Sequence, residues 1–147
     1  MKKRLLISIC IAFAISVCGP IPKIYAQAQS EVTVVVQFSS GQSMTVPNLS
    51  DHIGLQPNQT VRIIVQLSAD VAGQTLTIES LDGGTIVEGK SSALVGDDGS
   101  LRFGFKAGGL SGHYQVVLRN NAREIGLHFW VLDIANPQNN PPVLTPQ

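Results

Sequence analysis

Val61-Arg62-Ile63-Ile64-Val65-Gln66-Leu67 (VRIIVQL, residues 61–67) is the stretch that decides how this chain folds. Val61, Ile63, Val65 and Leu67 occupy alternate positions, with Arg62, Ile64 and Gln66 between them. Successive side chains of a strand point to opposite faces, so a period of two describes a β-strand with one apolar face. Branched Val and Ile residues suit such a pleated, half-buried surface. A helix would need apolar residues spaced three and four apart, and no window of the chain supplies that pattern.

The same alternation runs outward in both directions, from residue 31 to 132. Val32, Val34, Val36 and Phe38 share one face, and Met44 and Val46 mark a short strand stopped by Pro47. Residues 48–58 read as a polar loop. After 61–67, Leu76 and Ile78 mark the next strand, ending at Leu81-Asp82-Gly83-Gly84. Residues 85–95 read as one short strand plus an edge segment. Gly96-Asp97-Asp98-Gly99 predicts a hairpin turn, because Asp and Gly tolerate the positive φ of tight turns. Leu101, Phe103 and Phe105 follow, then Tyr114, Val116 and Leu118, then Ile125, Leu127, Phe129 and Val131.

Strands with one apolar face must bury it against a second sheet. The pattern therefore predicts an all-β, two-layer antiparallel sandwich of about seven to nine strands. The closing segment, NPQNNPPVLTPQ (residues 136–147), is rich in Pro, Asn and Gln and is expected to be a disordered tail.

Leu55-Gln56-Pro57-Asn58-Gln59-Thr60-Val61 resembles the start of strand B in bacterial immunoglobulin-like domains, which often carry Gly where this chain has Asn58. Gly112-His113-Tyr114-Gln115-Val116 resembles their penultimate strand, with Tyr114 in the position of a tyrosine corner. The likeness covers most of residues 31–134 and implies an immunoglobulin-like sandwich. The cysteine pair and core tryptophan of antibody-type domains are absent, so no antibody-like function follows.

The first 28 residues read differently. Lys2, Lys3 and Arg4 precede an apolar run over residues 5–17, and Ala26-Gln27-Ala28 supplies a small-x-small cleavage pattern. This is a secretion signal, bacterial in style, and too short to span a bilayer as a helix, which takes about 20 residues. Acylation at Cys18 is disfavoured by Val17, which stands where lipoprotein signals want a small residue. The domain plan is then signal at 1–28, sandwich at 29–135 and tail at 136–147, with the product periplasmic or extracellular. Both cysteines, Cys10 and Cys18, leave with the signal, so the mature domain folds without disulfides or thiolate metal ligands. Four basic residues leave too, and the remaining six face ten acidic ones. A mildly acidic domain without a Lys/Arg cluster is a poor match for nucleic acid or anionic lipid.

Candidate chemistry is sparse. His52, His113 and His128 show no H-x-H or H-x₃-H spacing, so they read as surface or half-buried residues, and no metal or cofactor is expected. Asp97-Asp98-Gly99-Ser100 lacks the alternating ligands and distal Glu of a calcium loop. No serine of the mature chain sits in G-x-S-x-G or S-x-x-K, and the Gly pairs precede strands rather than helices.

One constellation remains. With Tyr114 and Phe129 both facing the core, a two-residue turn at Asn121-Ala122 pairs Val116 with Leu127 and Leu118 with Ile125 inside. Outside, it pairs Arg119 with Glu124, Gln115 with His128, and His113 with Trp130. The only tryptophan would point away from the core beside two histidines and a glutamine, as a binding patch of Trp130, His113, His128 and Gln115. The other reading has Trp130 covered by another strand or by the tail. The sequence is thus read as an exported, non-catalytic binding or structural module for a protein partner at the cell envelope. A small carbohydrate-binding domain using Trp130 is the alternative, and a hydrolase with a scattered site ranks third.

Overall fold

The computed structural model describes residues 32–89 and 91–147. The expected secretion signal and both cysteines lie outside the described residues. Ten strands build the fold: β1 (Thr33–Phe38), β2 (Ser43–Val46), β3 (His52–Leu55), β4 (Thr60–Gln66), β5 (Thr75–Leu81), β6 (Thr85–Glu88), β7 (Ser92–Leu94), β8 (Ser100–Lys106), β9 (Gly112–Arg119) and β10 (Glu124–Val131). They form two five-stranded sheets, ordered β2-β1-β4-β8-β6 and β3-β10-β9-β5-β7. Every strand pair is antiparallel except β3 with β10. No helix among the described residues is long and apolar enough to cross a membrane.

The alternation read from the sequence is the alternation of burial. Val61, Ile63 and Val65 of β4 are buried while Arg62 and Gln66 are exposed. They meet Val34, Val36 and Phe38 of β1 and Leu101, Phe103 and Phe105 of β8 on the same inner face, opposite Tyr114, Val116 and Leu118 of β9 and Ile125, Leu127 and Phe129 of β10. Phe105 and Phe129 join the layers, their ring centroids 4.8 Å apart. No polar or charged side chain is buried among the described residues, so apolar burial holds the sheets together.

Some details differ from the expected pattern. Ten strands are present among the described residues, against about seven to nine expected, because one segment read as a loop holds a strand and another, read as one short strand plus an edge segment, holds two. The first is β3, inside the expected loop 48–58: it is four residues long, and its partner β10 lies over seventy residues later, so no local signal marks the pairing. The second is 85–95, which divides into β6 beside β8 in one sheet and β7 beside β5 in the other. Asp82, Gly83, Gly84 and Gly89, all at positive φ, give the chain the turns this switching needs.

The Gly96–Gly99 turn forms, with Gly99 at φ +76°, but it is not a hairpin. The strands it joins, β7 and β8, belong to opposite sheets. Finally, the tail is not free. Leu144 forms a parallel bridge to Ile53, with Gly54 N–H donating to Leu144 O and Leu144 N–H donating to His52 O, both at 2.8 Å. Proline excludes a long ladder but not a single bridge on the free edge of β3.

Candidate functional site

The late hairpin holds the register derived from its turn. Asn120 and Arg123 close it: Asn120 Oδ1 accepts the N–H groups of Ala122 and Arg123 at 3.0 and 2.9 Å, and Asn120 N–H donates to Arg123 O. With the turn fixed, Val116 faces Leu127 and Leu118 faces Ile125. On the outer face Arg119 faces Glu124, Gln115 faces His128, and His113 faces Trp130. Tyr114 lies in the core at 6% exposure, and its hydroxyl donates to Leu110 O at 2.8 Å.

Strand β3 adds what the sequence reading lacked. Its parallel pairing sets His52 beside His128 and Gly54 beside Trp130. Ile53 and Leu55 point inward, so His52 and Gly54 share the outer face with His128 and Trp130. Two rows therefore cross three strands: His52, His128 and Gln115 in one, Gly54, Trp130 and His113 in the next. All three histidines of the chain converge there.

The rings are close. His113 Nε2 and His128 Nδ1 are hydrogen-bonded at 3.0 Å, one donating and the other accepting. Those rings stack with centroids 5.2 Å apart, and His52 meets them edge-on or tilted at 5.3 and 5.8 Å. One ring nitrogen from each histidine lies within 4.8 Å of the other two. Among the described residues this is the only group of three or more His, Cys, Asp or Glu side chains so placed. The three side chains are half-buried, reachable from solvent yet partly dehydrated. Burial holds the pKa of His128 below its ordinary value, and repulsion from charge on His113 and His52 lowers it further. The neutral form of His128 is thus favoured.

Trp130 is on the outer face as expected but is not open. Its indole N–H donates to Asn140 Oδ1 at 3.3 Å, and its ring meets His52 edge-on at 6.2 Å. Asn140 Oδ1 also accepts the Asp133 N–H at 2.7 Å, while its amide donates to Asp133 O at 3.1 Å, which anchors the start of the tail beside the tryptophan. Of the two readings of Trp130, the structure shows a residue flanked by strand β3 and by the tail, half-buried rather than presented. Gln115 folds its amide over Gly126, near His128.

His52 is the site residue that sequence reasoning missed. A signal existed: His52-Ile53-Gly54-Leu55 alternates with period two, but four residues containing a glycine inside a polar stretch read as a loop. The expected absence of a histidine cluster rested on local spacing, and the sheet brings the rings together through non-local pairing instead.

A cleft lined by Ser50, Asp51, His52, Pro142, Val143 and Leu144 borders the cluster. A depression on the opposite sheet, lined by Gln37, Arg62, Ile64, Glu88 and Arg102, is spanned by the exposed Arg62–Glu88 ion pair and holds no histidine. The Asp98 turn is self-satisfied, its carboxylate accepting the Ser100 N–H at 2.9 Å. No family model, curated protein or solved structure matches this chain.

Proposed function

We propose that the chain is an exported, non-catalytic, immunoglobulin-like module that binds a protein partner at the cell envelope through the outer face of β3, β10 and β9. The observation that carries this reading is the convergence of every histidine and the sole tryptophan of the chain on that one face. Interfaces draw on aromatic groups with a polar edge, and scattered surface residues would not collect this way by composition alone. The signal-like start supports export. The strand orders β1-β4-β8-β6 and β10-β9-β5 parallel the ABED and GFC sheets of immunoglobulin domains, and the Tyr114 hydroxyl bonded to Leu110 O supports the same architecture.

The test places a photo-crosslinking residue at Gln115 on the outer face, and separately at Arg102 on the opposite sheet, in cells expressing the full chain. Crosslinking of one defined envelope protein from position 115 and not from 102 is expected. A crosslink from 102 alone, or glycan binding that depends on Trp130 with no protein crosslink, overturns the reading.

A further inference from the structure

We propose that His52, His113 and His128 form a three-imidazole site for a divalent transition-metal ion of the zinc class, leaving one coordination position for water or an incoming ligand. The inference goes beyond the partner-binding reading. It stands on the ring positions alone and survives if no macromolecule binds this face.

The geometry is near that of a ligand set. Zinc takes imidazole nitrogens at about 2.0–2.1 Å in a tetrahedron, which spaces the nitrogens about 3.3 Å apart. Here the closest pair lies at 3.0 Å and all three fall within 4.8 Å. Gathering them round one ion takes side-chain rotation and no backbone movement, because β3, β10 and β9 are adjacent strands whose register is already set.

The chemistry of the set is selective. Three imidazoles with no thiolate and no carboxylate suit Zn²⁺, Cu²⁺, Ni²⁺ or Co²⁺, whereas Mg²⁺ and Ca²⁺ require oxygen ligands. Metal ligation needs neutral imidazole rings, so binding should weaken as pH falls. A further group stands beside it. The position a Cβ of Gly126 would take is 2.8 Å from Gln115 Nε2 and 3.6 Å from His128 Nε2, so the bare glycine leaves room for both side chains beside the cluster. His128 uses its other nitrogen, Nδ1, toward His113. With three protein ligands and half-exposed rings, the remaining position faces the surface.

The experiment uses the mature protein without any affinity tag, stripped with EDTA and titrated with Zn²⁺ by calorimetry and with Co²⁺ by visible absorption. One equivalent of each ion is expected to bind, and the cobalt form should show the intense ligand-field bands of a low-coordinate site. His52→Gln and His113→Gln should each weaken binding at least about 10-fold, since even outer partners of a ligand cost 10–100-fold. Ring-proton NMR shifts of all three histidines on adding Zn²⁺ to the unmutated protein report the site even if a variant misfolds. No binding of either ion at sub-millimolar concentration, or affinity unchanged in both folded variants, overturns the proposal. Because the probe is the metal alone, that failure leaves the crosslinking test of the binding face unaffected.

Discussion

Gly54 and Val143 fit together as bare backbone and side chain: a Cβ on Gly54 would lie 2.7 Å from Val143 Cγ2 and 3.3 Å from Thr145 Cγ2. The glycine lets the tail lie against β3, where Leu144 O accepts the Gly54 N–H and Leu144 N–H donates to His52 O. Tail docking, the partial cover of Trp130 and the border of the histidine cluster are therefore one arrangement. Each part depends on the absence of a side chain at position 54.

Gly54→Ala should therefore undock the tail while leaving the sandwich folded. The clash removes two backbone hydrogen bonds, each worth about 1 kcal/mol, and overpacking here costs about 1–3 kcal/mol in total. Trp130 emission should shift to longer wavelength and iodide quenching should rise. Limited proteolysis should then cut after residue 136. A variant with unchanged quenching and an uncut tail would show that Val143 accommodates the methyl group.

Tyr114 sets a second expectation. Its hydroxyl bonds Leu110 O, and a Cβ on Gly108 would meet that hydroxyl oxygen at 2.5 Å. Tyr114→Phe should cost about 1 kcal/mol in urea unfolding, and Tyr114→Ala about 3–5 kcal/mol. Gly108→Ala should destabilise by about 1–3 kcal/mol in the native background and by less in Tyr114→Phe, where the nearest contact is gone and only the ring carbons at 3.0 Å remain. Additive losses would place the ring or its hydroxyl elsewhere.

The contrast between the late hairpin and β3 shows what the sequence could and could not convey. In β9 and β10 an eight-residue strand stands on each side of a two-residue turn, so turn length and core face together fix the register. His113 opposite Trp130 followed from that. The pairing of His52 with His128 has no turn to count from. It arises when the two layers close, and periodicity in four residues does not announce it. The tail is harder still, since its docking rests on main-chain bonds and on the missing side chain of Gly54. The Gly96–Gly99 turn was legible as a turn, but only tertiary packing decides that its two strands part to different sheets.

Asp98 provides an acid-stability expectation at that turn. Hydrogen bonds from Ser100, side chain first and backbone N–H second, hold its carboxyl below the ordinary value. A depressed folded-state pKa means that the unfolded chain binds the proton first as pH drops. The contribution is thus complete above the unfolded value, about 3.9, and is lost as pH falls through the folded one. Asp98→Asn keeps an oxygen that can accept the Ser100 N–H but does not titrate. The stability gap between the two proteins should therefore change below about pH 4 and stay constant above it. A gap independent of pH would show that the bond does not survive in solution.

The histidine cluster supplies the last expectation, read through the fold itself. An ion that binds the native state and not the unfolded chain stabilises by mass action, by about 2.7 kcal/mol at a free concentration one hundred times its Kd. Zn²⁺ should raise the melting temperature of the EDTA-stripped protein, and chelator should reverse the rise. Trp130, 6.2 Å from the His52 ring, should report the event directly, with Cu²⁺ quenching its emission at one equivalent. In His113→Gln both responses should fall together, because that ring is bonded to His128 and stands opposite Trp130 in the register. Quenching without stabilisation would mark copper picked up at the surface, and stabilisation that persists in His113→Gln would place the ion away from the three rings.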